Sequence, residues 1–237
     1  MKKLLIVLFL TSCNVKIPVT ETQPSKPISQ DVTTPTPTVP EPLPVAPPKP
    51  LTLKEKLSVT AKEFEKLETS YLPFCSKTPK DLNIFYTTLF YEMVRHESGF
   101  KNEEAYYECA KAKCYYSSGC FTDPVRGFCR ITSSTFDGGF AVSRGLFQLS
   151  VSSVRALGCK DYIQNSQDLH NEDKNIKCAA TIMKNYIVSD KIITGKDGDK
   201  WRGLSRYWAV LRPTFDGTER KSYTSILKAV QKVEGCN

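Results

Sequence analysis

The stretch Leu82–Phe100, LNIFYTTLFYEMVRHESGF, decides how this 237-residue chain is read. Leu82, Tyr86, Leu89, Phe90 and Met93 recur at three- and four-residue steps, the period of one helix face. Asp81 ahead of the run is a capping residue type, and Pro79 precedes it. Gly99 behind it is a helix-terminating type. Glu97 lies four residues beyond Met93 and seven beyond Phe90, so it continues the apolar stripe. A glutamate is rarely buried unless it is paired or used. Burial disfavours the charged form and raises a carboxyl pKa. A carboxyl that keeps its proton near neutral pH is what a general acid at a glycosidic bond needs.

Outward from this run, helical periods dominate. Leu53, Leu57, Ala61, Phe64 and Leu67 mark an earlier helix. A short helix is expected over Ser152–Leu157, before Gly158. Longer ones are expected over about 172–187, about 199–211 before Pro213, and about 219–233. Residues 51–237 therefore read as one mainly α domain, with a loop-rich, cysteine-rich stretch from about Lys101 to Ser143. The 40% hydrophobic and 24% charged shares are those of a globular protein. Residues 14–50 are different. Pro, Thr and Val dominate there, as in TTPTPTVPEPLPVAPPKP, and such a segment forms an extended spacer without a packed core. Roughly 37 residues at about 3.1 Å each reach about 110 Å. The formal charge of +8 favours acidic partners weakly. No basic run or nucleic-acid motif is present, so no nucleic-acid partner is expected. There is no internal repeat.

Lys2 and Lys3, the apolar run Leu4–Leu10, and Leu10-Thr11-Ser12-Cys13 together resemble the lipobox of bacterial lipoproteins. The resemblance implies that residues 1–12 are a signal peptide, that cleavage precedes Cys13, and that Cys13 carries the lipid. Asn14 is not the Asp that often marks inner-membrane retention, so it implies a periplasm-facing place on the outer membrane. Residues 13–50 are then anchor and linker. Nine cysteines are present. With Cys13 lipidated, the eight others (Cys75, Cys109, Cys114, Cys120, Cys129, Cys159, Cys178 and Cys236) are enough for four disulfides in an oxidising compartment. Cys109, Cys114, Cys120 and Cys129 are also a conceivable zinc site, but no C-x2-C pair or neighbouring His supports it. No metal and no cofactor is expected.

Five short motifs occur in order. Glu97-Ser98-x-Phe100 closes the helix. Gly145-Leu146-Phe147-Gln148-Leu149 follows, then Asn175-Ile176-x-x-Ala179-Ala180-x-x-Met183, then Tyr207, then Glu219-Arg220-x-x-Tyr223-x-x-x-Leu227. Together these resemble the soluble lytic transglycosylase and goose-type lysozyme family. The resemblance implies a lysozyme-like α domain that cleaves peptidoglycan at the β-1,4 bond between N-acetylmuramic acid and N-acetylglucosamine. Glu97 would be the catalytic acid, and Ser98, Gly145, Gln148, Asn175, Tyr207 and Tyr223 would bind or orient the glycan. Peptidoglycan and, through Cys13, a membrane are the implied partners. Phe147 stands where the family has Met, Ala179 where Gly is usual, Trp208 where it has Asn, and Val210 where Gly is usual. Trp208 adds an aromatic plane able to stack on a sugar or to pack. The interval from Glu97 to Gly145 is longer than in simple transglycosylases and reads as a disulfide-stapled insertion near the cleft.

Two reactions fit one acid. In a transglycosylase the muramic acid 6-hydroxyl attacks the anomeric carbon and Glu97 then acts as base, giving a 1,6-anhydro product. An inverting hydrolase needs a second carboxylate, roughly 6.5–9.5 Å from the first, to activate water. Asp137 and Asp123 are candidates, though both sit in turn-forming sequences. The breadth of the resemblance favours the transglycosylase. A non-catalytic lipoprotein that tethers the wall is the alternative from another class. A Cys/His hydrolase is weaker, because His96 and His170 are the only histidines and the cysteines suit disulfides.

Overall fold

The chain divides into two units, 1–47 and 48–237. The computed structural model describes residues 49–107, 120–122, 129–131, 139–215 and 217–236. Cys13, Asp123 and Asp137 lie outside them, as do the signal peptide and nearly all of the linker.

Helix α1 spans Leu53–Ala61 and α2 spans Leu82–Glu97. Thr52 and Glu55 cap α1 reciprocally, and Asp81 caps α2 by accepting from the Ile84 N–H at 2.9 Å. The two helices pack together, and Ser58 Oγ donates to Asn83 Oδ1 at 2.7 Å across the contact. Beneath them lies an aromatic cluster. Phe64 meets Phe90 edge-on at 5.0 Å and Tyr86 at 5.3 Å, while Tyr71 meets Phe85 at 5.3 Å. Each such side chain contributes about 1.5–3 kcal/mol by burial. The sequence expects the first helix to reach Leu67. Instead it ends at Ala61, and two tight turns (Phe64 N–H to Ala61 O, 2.9 Å; Leu67 N–H to Phe64 O, 3.0 Å) swing Phe64 onto α2.

After α2, strand β1 (Ala105–Tyr107) pairs with β4 (Val142–Arg144), and β2 (Cys120–Thr122) pairs with β3 (Cys129–Ile131). Helix α3 (Val151–Val154) breaks at Leu157–Gly158, where Gly158 has φ +104°. Helix α4 (Glu172–Asp190) is capped by Asn171 and tied to α1 by Lys56, whose Nζ lies 2.8 Å from both Glu172 and Asp173. The Cys159–Cys178 disulfide fastens the broken turn to α4.

The helix expected over 199–211 is not formed. Strands β5 (Thr194–Asp197) and β6 (Lys200–Gly203) make a hairpin there, followed by two single 3-10 turns, Leu204–Arg206 and Ala209–Leu211. The turn is Asp197-Gly198-Asp199 with Gly198 at φ +56°, a hairpin signal that overrides the helical period. At Gly203 (φ +58°) a Cβ would lie 2.4 Å from the Ile192 and Ile193 carbonyls. Strands β7 (Thr214–Phe215) and β8 (Thr218–Glu219) form a last hairpin before helix α5 (Lys221–Val230), which is shorter than the expected 219–233. The described domain is therefore mixed, helices with four two-stranded antiparallel sheets, where the sequence expects a mainly α domain. Among the described residues no helix is long and apolar enough to cross a membrane, and no cluster of ligating side chains could hold a metal ion.

Helices α2 and α5 pack antiparallel. The chain just before α2 meets the chain just after α5: Ser76 N–H donates to Cys236 O and Lys80 N–H to Glu234 O, both at 3.0 Å. Lys80 and Glu234 form an ion pair there. The Cys75–Cys236 disulfide seals this end across 161 residues of sequence. At the opposite end Arg95 Nη2 donates to Ser225 Oγ at 2.8 Å. Of the other cysteines expected in disulfides, Cys109 and Cys114 lie outside the described residues, and the side chains of Cys120 and Cys129 are not described. A Cys75→Ala/Cys236→Ala variant is expected to lose about 2–5 kcal/mol of unfolding free energy in urea titration, and reductant to lower the wild-type melting temperature.

Candidate active site

Glu97 is the last residue of α2. Ser98 caps the helix end, its hydroxyl turned back to the Val94 carbonyl at 3.3 Å, and Gly99 takes φ +61° to break the chain away. Ser98 is buried, so its hydroxyl serves the helix end. Phe100 follows at φ +68°, stacked on Tyr91 with ring centroids 4.8 Å apart. Glu97 itself is half-buried, and dense protein surrounds its carboxyl. Burial pushes the carboxyl up to about 8, and the Arg220 guanidinium pulls it the other way without cancelling the shift. Glu97 therefore stays largely protonated near neutral pH. His96, its neighbour, is held below the usual histidine range by burial and then by Arg95, and so is neutral there.

The second part of the site is the tight loop Gly145–Gln148. Arg144 and Leu149 close it by exchanging both backbone hydrogen bonds at 2.9 Å. Gly145 N–H donates to the Glu104 carbonyl at 2.9 Å, which docks the loop on the segment that leads out of Glu97. Gln148 has φ +48°, and its Nε2 donates to Gly145 O (2.9 Å) and Glu104 O (3.3 Å). Its Oε1 is buried and takes no hydrogen bond among the described residues.

Asn175, expected to bind the sugar from the cleft floor, is fully enclosed. Its Oδ1 accepts from the Phe147 N–H (3.0 Å), and its Nδ2 donates to Arg144 O (3.1 Å) and Leu169 O (2.8 Å). Both ends of the amide are bonded within the protein, so Asn175 shapes Gly145–Gln148. At Gly145 a Cβ would sit 2.1 Å from the Leu169 carbonyl and 2.4 Å from Asn175 Nδ2. The protein itself makes a close approach that demands glycine.

Tyr207 accepts the Ser150 N–H on its hydroxyl at 3.1 Å, which anchors the chain just beyond the loop. Trp208 is 1% exposed and donates Nε1–H to the Phe147 carbonyl at 3.0 Å, so it packs and cannot stack on a sugar. Tyr223 is buried on α5 against Phe74, centroids 6.1 Å apart, and burial raises its hydroxyl pKa. His170 lies behind the site, with Nδ1 2.8 Å from the Asn102 carbonyl. The structure thus places Gly145 and Gln148 on one loop, which is bonded to Asn175 on α4 and to Glu104 on the segment that follows Glu97, with Tyr207 bonded to Ser150 just beyond the loop. Asp123 and Asp137 lie outside the described residues. Arg220, quoted in the fifth motif without a role, is the cation whose charge acts on Glu97. A groove of about 420 Å³ between α1 and α4, lined by Val59, Ile176 and Ala180 among others, takes in none of these residues.

Comparison with protein families and with curated proteins finds no match. Among solved structures the chain is similar to DslA (Bd0314), a Bdellovibrio protein. The wild type in its form 2 superimposes with TM-score 0.57 at 26% identity, over 78% of this chain and 91% of that one. Two variants of DslA, each with one glutamate replaced by glutamine, superimpose with TM-scores of 0.58 and 0.57 at the same identity and coverage. The fold is shared across nearly the whole of that protein.

Two expectations follow. The Glu97 pKa is raised on folding, so between pH 4.5 and about 8 the folded state holds a proton that the unfolded state releases. Stability contributed by the neutral form is intact below that window and lost as pH rises through it. Urea titrations across pH should show this fall in the wild type and its absence in Glu97→Gln, with the variant more stable by a few kcal/mol at about pH 8.5. Gly145→Ala should cost about 3 kcal/mol or more in the same titration, from overlap and left-handed strain together.

Proposed function

We propose that this chain cleaves the β-1,4 bond between N-acetylmuramic acid and N-acetylglucosamine in peptidoglycan, as a lytic transglycosylase. One observation carries the reading: the carboxyl of Glu97 stands at a helix end and is kept protonated near neutral pH by burial. Glu97 gives its proton to the glycosidic oxygen as the bond to the anomeric carbon breaks. The muramic acid 6-hydroxyl oxygen bonds to that carbon, and the Glu97 carboxylate takes the hydroxyl proton. The acid is restored, and the product is a 1,6-anhydro sugar. The nucleophile is part of the substrate, so no further protein carboxylate is required. Export, lipidation at Cys13 and the Pro-rich spacer complete the proposal. The domain would work on the wall from an outer-membrane anchor facing the periplasm, with no metal or cofactor.

A second reading, hydrolysis, has its own support. The two glutamates replaced in the DslA variants are as far apart in that chain as Glu97 and Glu108 are in this one. Glutamate-to-glutamine replacement keeps shape and removes the acid, the exchange suited to testing a carboxyl's chemistry. Glu108 follows β1 and lies outside the described residues. It joins Asp137 and Asp123 as a candidate to activate water.

Mass spectrometry of muropeptides released from acetylated and deacetylated peptidoglycan by residues 51–237 separates these readings. Anhydro ends are expected, with Glu97→Gln lowering release at least a thousandfold and Glu108→Gln leaving it within about tenfold. Reducing ends, with Glu108→Gln as damaging as Glu97→Gln, establish hydrolysis. No release from either wall overturns both and leaves a tethering lipoprotein.

A further inference from the structure

Arg220 stands where a helix would not choose it. It is the N-cap residue of α5, a position favoured by Ser, Thr, Asp and Asn, whose side chains accept the orphan N–H groups. A guanidinium has no acceptor, and α5 has no side-chain cap. Lys221 follows at the first helical position, so two cations sit at the positive end of the helix dipole. An arginine here gives up the side-chain cap that those residue types supply.

The antiparallel packing of α5 on α2 sets where this residue lies. With the disulfide end pinned at Cys75–Cys236 and the other end by Arg95–Ser225, the start of α5 lies beside the end of α2. Arg220 is the last residue before α5, and Glu97 is the last residue of α2. The backbone of Arg220 is fixed from both sides: its N–H donates to Pro213 O at 2.9 Å across the β7–β8 hairpin, and its carbonyl accepts from Thr224 Oγ1 at 3.3 Å. The adjacent Glu219 carboxylate accepts from Thr224 Oγ1 at 2.5 Å. Arg212, next to Arg220, is held by the Ser205 and Arg206 carbonyls at 2.9 and 3.2 Å.

We propose that Arg220 is a positioning residue for Glu97: it faces the carboxyl from the start of α5 and stabilises the carboxylate left when the proton is given up. The inference rests on the proposed role of Glu97 as proton donor. A carboxyl buried with no cation nearby would release its proton too reluctantly to be a useful acid, and one in a close pair would be ionised before substrate arrived. A partly opposed guanidinium puts Glu97 between those limits. Other ionisable groups on the elements around Glu97 are Arg95 and His96 on α2, Lys101, Glu103 and Glu104 on the segment after it, Tyr207 and Arg212 in the 204–212 turns, and Lys221 and Tyr223 on α5. Among the described residues, Arg220 is the charge that acts on it.

The test is carboxyl 13C NMR of protein labelled at Glu side chains, with Glu97 assigned from Glu97→Gln. In Arg220→Gln the Glu97 midpoint should rise by about one pH unit, and Arg220→Lys should restore most of the difference. The basic limb of the pH–rate profile for muropeptide release should move with it. An unshifted midpoint in a folded Arg220→Gln overturns the proposal. If that variant fails to fold, the wild type decides alone. The Arg220 guanidinium 15N shifts should titrate with the Glu97 midpoint, and shifts that ignore it overturn the proposal. A wild type that titrates as expected but releases no muropeptides removes the catalytic reading and leaves the Arg220–Glu97 coupling standing.

Discussion

The antiparallel docking of α5 on α2 governs the rest of the structure. Helix α2 carries the aromatic side chains that make the core and ends in the carboxyl that makes the site. Helix α5 packs along α2, with Ser225 bonded to Arg95 near that end. The two are more than a hundred residues apart in sequence, so the contact closes a very long loop, and the Cys75–Cys236 bond relieves the folded state of much of that entropic opposition. Burial of the Glu97 carboxyl at the end of α2 is what raises its pKa.

The Gly145–Gln148 loop follows a second principle, rigidity from within. Loops that present functional groups are usually mobile, but this one is short, closed by paired backbone bonds and filled underneath by the Asn175 amide. Asn175 pairs the Phe147 N–H and the Leu169 carbonyl and gives the Arg144 carbonyl a second hydrogen bond beside that from Leu149. Trp208 adds a fourth bond to the Phe147 carbonyl. Gln148 is thereby held in a left-handed conformation that costs energy and keeps one amide oxygen unspent. Among the residues that carry the resemblance, Gln148 and Asn175 both bond the loop's own backbone, and Gln148 keeps a buried amide oxygen without a partner among the described residues.

How much of this was readable depends on the range of the forces involved. The α2 run, its Asp81 cap and its end at Glu97–Gly99 were legible because period, capping and termination are local. The same holds for α4, expected over about 172–187 and observed over Glu172–Asp190. The 199–211 segment misled because its apolar spacing also fits a helix, while the Asp197-Gly198-Asp199 turn was the stronger local signal. Asn175 and Gly145 were legible as important positions but not as supports, since the groups that need them, Leu169 and Arg144, are chosen by the fold. Arg220 carried one local sign, a cation at a helix start.

The sequence by itself determined the cooperative apolar face of α2, the placing of Glu97 on it, the change to a Pro-rich spacer before residue 51, and a cysteine set fit for an oxidising compartment. Those follow from composition and from periodicity along a few turns of chain. Only the tertiary structure decided that the Glu97 carboxyl is enclosed, that Arg220 opposes it, and that Asn175 serves the loop. Each of those depends on which distant segment removes water from a group, and desolvation and close packing are properties of the assembled core, not of any one stretch of chain.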